Sequence, residues 1–594
     1  MSGQTPSFTC SGNIDASERA AWGEAGMVAR YVVSPRGGRR VYPDISSALA
    51  AAAGRGRPAL IEIAAGRYDE ALTVGGQVRL AAIDGPGSVV VSRPRGAVLD
   101  AFGAVAVHGL VLIGREADVV GCHAGTLTLE HCEIRAHNGV SVHARPNTSV
   151  TLRDSAILHG RALFSGAAGL VERCRFTDAA DNAVAVIEGA HVAVRDSWIG
   201  GSRIHGMRVS DARAEVTGCE LTGTGKAALM ADARAELVMS GCTVNAVHAE
   251  AVMFIEQSRG SVEGLRVTDA EHGIGVASGA DPVVRGCAFI ECRDTGINVQ
   301  TAGRGRFEDC EVRSAGNIAV FSTEGGAPEV HGCRISGGNV GIAVTDAARG
   351  RFSRVEIEKL TSVALRVLDG SRAVFEQVRV ENCPSGMEAR GNGGTTADLT
   401  DVGIRDFDIG AVTVLGQSRV TLTRVAAERG ALGFGAGEEA QLFVHDCDVK
   451  AVSIGGAIGF DKARLVARNL TVTGAEAFGL CGKGSAYMDV ADSEFTDCVG
   501  AGASFDDTCN GRLVDCGVNG TRGVAVQDNG LVDLVSLRTS LPVVKQVVKP
   551  VERPPMIVNN FHGPVFNAAV HGAQLAWNNN NVIQQQTNED GSRT

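Results

Sequence analysis

One short phrase recurs along this chain and constrains its fold more than anything else in it. VVRGCAF, RFEDCEV and EVHGCRI lie between Val283 and Ile335. Each places an apolar residue (Val284, Phe307, Val330) three before a cysteine (Cys287, Cys310, Cys333) and another (Phe289, Val312, Ile335) two after it. Successive cysteines stand 23 residues apart. A fixed period of this size is the mark of a stacked repeat, and it overrides the usual reading of length as a count of domains.

The register runs far in both directions. Upstream the cysteine slot holds Leu110, Cys132, Ser155, Cys174, Ser197, Cys219, Cys242 and Leu265; downstream it holds Val355, Val378, Val402, Val425, Cys447, Leu470, Ser493 and Cys516. Steps are 22 to 24 residues, except 19 between Ser155 and Cys174. Small and apolar residues alternate there with little regard for chemistry, as expected of a core-facing column. A second phrase, seen in GMRV (206–209), GIGV (273–276), GINV (296–299) and GIAV (341–344), alternates with period 2 and predicts short half-buried strands. A unit this small cannot bury its own apolar face, whereas a stack of such units can.

The column just before the slot reads Asp154, Asp196, Gly218, Gly241, Gly264, Gly286, Asp309, Gly332, Asp401, Asp446, Asn469, Asp492 and Asp515. Gly, Asn and Asp tolerate the left-handed conformation, so a sharp bend is predicted in every coil. Arg173, Arg354, Gln377 and Arg424 interrupt the column and predict a looser bend. The aspartates are read as corners rather than as a catalytic row.

These features closely resemble the right-handed parallel β-helix family shared by pectate lyases, polygalacturonases and many non-enzymatic bacterial solenoids. The resemblance covers residues 57–540. It implies an all-β solenoid of about twenty coils, stacked ~4.8 Å apart. It carries no activity, because a fold hosts many functions.

The chain of 594 residues has a net charge of −11 and a pI near 5.7, which argues against nucleic acid or an anionic membrane as partner. Residues 1–30 contain no Lys/Arg-flanked apolar run, and no apolar stretch is long enough to span a bilayer. The expectation is a cytoplasmic protein whose 16 cysteines are buried, reduced thiols. No CxxC pair and no histidine at ligand spacing occurs, so neither a metal nor a cofactor is expected.

Before the coils, residues 1–56 read as an N-terminal segment with two helices, Ser17–Arg30 (N-cap Ser17) and a second behind Asp44 with an apolar face through Ile45, Leu49 and Ala52. The second would cover the open end of the core. The following IEIAAGRYDEALTV, with Gly66, Tyr68 and Glu70, resembles the opening of pectin methylesterase-like proteins. The catalytic phrases of those esterases, of polygalacturonases and of pectate lyases have no counterpart here. A polysaccharide site also needs wall loops, aromatic platforms and clustered carboxylates. Coil length barely varies, and the chain has three Trp and four Tyr. The densest carboxylate group is Asp489, Asp492, Asp506, Asp507 and Asp515, of which Asp506 and Asp507, in the turn SFDDTCNG, are the best catalytic candidates. The chain is read as non-enzymatic; were it an enzyme, a polysaccharide lyase or glycoside hydrolase would be expected.

Residues 541–555 (LPVVKQVVKPVERPP) form a Pro-containing linker. Residues 556–594 alternate apolar residues with Asn, His and Gln and are nearly free of charge up to Thr587, a composition able to stack in cross-β. Asn560, Phe561, Gly563, Pro564, Val565, Val570, His571, Gly572 and Gln574 resemble the short C-terminal amyloid-type motifs of bacterial immune and signalling proteins. That resemblance implies a binding scaffold or sensor whose tail self-associates or docks on a protein partner; a polar tail or a strand on the last coil are the plainer readings. Two alternatives from other classes stand beside it. One is a carbohydrate-active or glycan-binding protein, the other a structural filament built by end-to-end stacking, which the helical lid opposes.

Overall fold

The computed structural model describes residues 28–116, 118–137 and 139–545. Most of the first expected helix, the linker beyond residue 545 and the whole tail motif from Asn560 to Gln574 lie outside the described residues. Contacts group the chain into two compact units: one runs to Asn298 and includes Gly303–Arg306, and the other takes Val299–Ala302 and everything from Phe307. Each is built as an all-β parallel β-solenoid, and the chain carries about 21 turns in all.

In the first unit a representative coil consists of strands His191–Arg195, Trp198–Gly200 and Met207–Ser210. Each pairs in parallel with its equivalent one coil later: Arg213–Thr217, Glu220–Thr222 and Leu229–Asp232. Side chains alternate along the strand, so Val192, Val194, Ala214 and Val216 point inward and are fully buried. In the second unit Arg372–Glu376, Arg379–Glu381 and Ser385–Gly391 play the same parts. Its mainly aliphatic core also holds aromatic rings, among them Phe352 and Phe375 stacked with centroids 5.1 Å apart.

The expected helix is present as Ile45–Ala53. The Asp44 carboxylate accepts the Ser47 N–H at 2.7 Å, and Glu70 accepts the N–H groups of Ile45 and Ser46, so three N-terminal donors are satisfied. Ile45, Ala48, Leu49 and Ala52 are buried against the first strands. Two expectations at this end fail. Ala29 and Arg30 belong to a strand, Ala29–Val33, rather than to a helix, and that strand pairs in parallel with Ala59–Ile63. Parallel pairing therefore starts well before residue 57, with the helix carried inside the first turn. No helix among the described residues is long and apolar enough to cross a membrane.

The predicted bends are present. Asp154, Asp196, Asp309, Asp401, Asp446, Asn469, Asp492 and Asp515 all have φ between 48° and 56°. The expectation of looser bends is corrected: Arg173, Arg354, Gln377 and Arg424 take φ of 49°, 53°, 56° and 53°. A left-handed residue with a Cβ costs about 1–2 kcal/mol, and cross-coil contacts offset it. Arg173 grips Asp154 with two hydrogen bonds of 2.8 Å, Arg424 grips Asp401 at 2.6 and 2.9 Å, and Arg354 reaches Gln377 at 3.3 Å.

The slot is also more particular than its composition suggests. Ser155, Ser197 and Ser493 each accept, through Oγ, the backbone N–H of the slot residue one coil earlier: Cys132 at 3.1 Å, Cys174 at 3.0 Å and Leu470 at 3.1 Å. Cys242, Cys333 and Cys447 do the same through Sγ at 3.4 Å for Cys219, Cys310 and Val425. Ser and Cys recur there because they satisfy a buried donor that the bend leaves beside the core.

Candidate functional site

The outward columns of the coils are where chemistry varies, and each is a register line one coil deep. In the second unit one line runs Glu311, Arg334, Glu356, Arg379, Gly403, Ala426. Charges of opposite sign face each other along it until the line loses its side chains at Gly403 and Ala426. The space around the Gly403 α-carbon is open. A groove of about 860 Å³ forms there, walled by Arg354, Gln377 and Asp401 at the bend and by Glu356, Arg379, Glu381 and Arg405 on the short strands.

Every carboxylate of this groove has a cationic partner. Glu356 accepts from Arg334 at 3.1 Å and lies 3.7 Å from Arg379. Arg405 spans Glu428 at 3.2 Å and Glu381 at 4.0 Å. Arg424 holds the Asp401 carboxyl below the usual carboxylate range through its paired hydrogen bonds. The surface is thus strongly polar and charge-balanced, with no aromatic side chain among the residues that line it.

The first unit carries a different corner. His108, Glu130 and Arg153 are register partners in successive coils. The residues that follow them, Gly109, His131 and Asp154, form the bend column, with φ of 77°, 52° and 48°. Stacking therefore brings His108, Glu130, His131 and Asp154 together as a staircase across three coils. One donor atom from each of Glu130, His131 and Asp154 lies within 4.8 Å of the others. The His108 and His131 rings meet edge to face, 5.1 Å between centroids. The His108 imidazole beside Glu130, 3.6 Å from Nδ1 to Oε2, holds that carboxyl below its ordinary value, and Arg173 does the same for Asp154.

Three further clusters decorate these coils. Phe102 is exposed and stacks on His123 at 4.7 Å, while His123 Nε2 lies 2.7 Å from Asp100. His143 bonds Asp118 at 2.7 Å, and Arg145 approaches the same carboxylate at 3.5 Å. Arg175 lies over Trp198, 3.8 Å from the ring centroid, so that tryptophan is covered rather than presented.

The carboxylates singled out from sequence are not one constellation. Asp492 and Asp515 sit in the bend column. Asp489 is 6% exposed and held by Arg512 at 3.0 and 3.1 Å and by Arg468 at 3.1 Å. Asp506 and Asp507 occupy another corner, where Asp507 has φ 55° and accepts the Gly484 N–H at 3.3 Å. The histidine corner and the charged groove went unread. Their signal was available as spacing: His131 and Asp154 are 23 residues apart, as are Glu356 and Arg379, in columns already in register.

The family model described as "Right handed beta helix region" matches residues 201–317, 228–348 and 272–424. The chain is a right-handed parallel β-helix. No curated protein matches the sequence. Among solved structures it is similar to the catalytic domain of a GH87 alpha-1,3-glucanase variant in complex with nigerose, at 11% identity and a TM-score of 0.32, over 61% of this chain and 66% of that one. It is also similar to the PL6 family alginate lyase AlyGC (11% identity, TM-score 0.27, 87% of this chain, 100% of that one). A third is the pre-mature bacteriophage phi29 gene product 12 (10%, 0.29, 83% and 71%). The chain thus spans just under two thirds of the glucanase domain.

Proposed function

We propose that this protein is a non-catalytic binding scaffold. The charged coil face around residues 354–428 captures a polar ligand or protein partner, and the tail, residues 556–594, couples capture to assembly. One observation carries the reading: every carboxylate in the groove is matched to arginine. Glycoside hydrolysis needs a carboxyl group kept protonated near neutral pH beside an ionised one. In the groove Arg424 does the opposite, holding the Asp401 carboxyl below its ordinary range. Such a matched surface suits recognition, because a partner must satisfy the whole pattern. The resemblance of the tail to amyloid-type signalling motifs supports the second half of the proposal and a setting in signalling or defence.

Light scattering on the intact protein and a 1–555 truncation, across concentrations, tests the coupling. Higher assembly confined to the intact chain supports it, and identical masses overturn it. Release of reducing ends or unsaturated sugars from a panel of polysaccharides would overturn the non-catalytic half.

A second reading, glycan recognition without turnover, is favoured by Phe102. Its exposed ring, stacked on a histidine that bonds Asp100, offers an apolar face with a hydrogen-bonding edge, the combination that a sugar ring needs. Retention on immobilised polysaccharide that disappears in Phe102→Ala would favour it; retention unchanged by that substitution would remove it.

A further inference from the structure

We propose that the corner formed by His108, Glu130, His131 and Asp154 is a site for a borderline divalent transition ion such as Zn²⁺ or Co²⁺. Two imidazoles and two carboxylates come from three successive coils, on strand and bend positions whose register is locked by parallel pairing. Rigid elements hold ligands more precisely than loops do. Glu130, His131 and Asp154 place their donor atoms within 4.8 Å of one another. A tetrahedral zinc site with bonds near 2.1 Å has edges of about 3.4 Å, so closure needs a shift of about an ångström in side chains that are only half-buried. The His108 Nδ1 to Glu130 Oε2 separation of 3.6 Å already has that span.

His108 is the independent indicator. It is 3% exposed, and neither ring nitrogen has a hydrogen-bond partner among the described residues. Burying an imidazole with both nitrogens unmatched is costly. A metal ion between Nδ1 and the Glu130 carboxylate would supply the missing partner. Imidazole donors select zinc, cobalt or nickel over calcium and magnesium, which prefer all-oxygen shells.

The surroundings fit an outer shell. Arg173 donates to both oxygens of Asp154 at 2.8 Å, leaving the other lone pairs of that carboxylate for a cation. The His131 N–H donates to the Arg153 carbonyl at 3.2 Å, fixing the backbone from which its ring projects. The positive charge of Arg173 opposes a cation, and the two carboxylates of the corner outweigh it.

The test uses the full chain stripped of metal, titrated with Zn²⁺ against a chromophoric chelator and separately with Co²⁺ followed by absorption. One equivalent bound in the micromolar range or tighter is expected, with a cobalt spectrum lacking thiolate charge transfer. His131→Gly is the sharpest variant, since glycine already occupies this column at Gly109 and Gly218 and accepts the left-handed backbone. It should keep the unfolding midpoint and lose at least tenfold in affinity. Glu130→Gln, which preserves side-chain shape, should lose a similar factor. Absence of zinc binding, equal affinity in both variants and wild type, a thiolate cobalt spectrum, or Ca²⁺ binding as tight as Zn²⁺ would each overturn the site.

Discussion

The inner and outer sides of one bend obey different rules. On the inside, at the slot, the choice is narrow: a small hydroxyl or thiol that accepts a backbone N–H, or a buried aliphatic, Val or Leu. On the outside, one residue earlier, the column holds Gly, Asp, Asn, Arg, Gln or His at nearly the same φ. The inner side is constrained by buried polar groups that must find partners. The outer side faces water, where a lost ion pair is worth little. Folding information is therefore concentrated inside, and the outside is open to recognition chemistry. The groove at Gly403 and the histidine corner at His131 are both departures on that outer side.

The contrast can be broken most forcefully at Ser197. Ser197→Val introduces the residue that this slot holds at Val355 and Val378 and strips the acceptor from the Cys174 N–H. It should cost about 2 kcal/mol in urea unfolding, whereas Ser197→Cys, which copies Cys242, should cost much less. A loss below about 0.5 kcal/mol for valine would show that the slot is indeed indifferent to chemistry.

Asp489 sharpens the comparison, because it faces outward yet is covered by two arginines. Arg512 foremost, then Arg468, holds its carboxyl below the ordinary value. With the folded pKa depressed below an unfolded value of about 3.9, its contribution is present above that pH and lost as pH falls through the folded pKa. Acid titration of Asp489→Asn should therefore show a shallower fall in stability below about pH 4. At pH 7 the variant should be less stable by about 1 kcal/mol, discounted because both arginines reach solvent. Parallel acid limbs in variant and wild type would discard this account.

The smallest effect belongs to Arg424→Gly. Relief of a left-handed Cβ and loss of an exposed pair to Asp401 act in opposite directions, and the urea midpoint should not move. A clear drop would mean that the outer column carries folding energy after all.

Much of this architecture was legible before any coordinates. Slot and bend columns are local patterns with a period, and the N-cap at Asp44 is a signal within one turn, so all three could be read directly. What escaped reading depends on stacking. That Arg173 bends as sharply as aspartate follows from Asp154 lying one coil away, and the groove follows from Gly403 and Ala426 succeeding Arg379 in register. The strand Ala29–Val33 was missed because its partner, Ala59–Ile63, lies beyond an intervening helix. No window of neighbouring residues contains these relations.

The slot cysteines have one more consequence. Burial pushes the thiols of Cys132 and Cys447 up to about 11 and that of Cys174 up to about 12. At neutral pH they are neither ionised nor reachable, so alkylating reagents and mild oxidants should pass the folded chain by. Each becomes reactive when its own turn opens. Cys132, Cys174 and Cys447 thus amount to a set of internal gauges, and mass-resolved labelling in rising urea would read out the order in which their turns come apart.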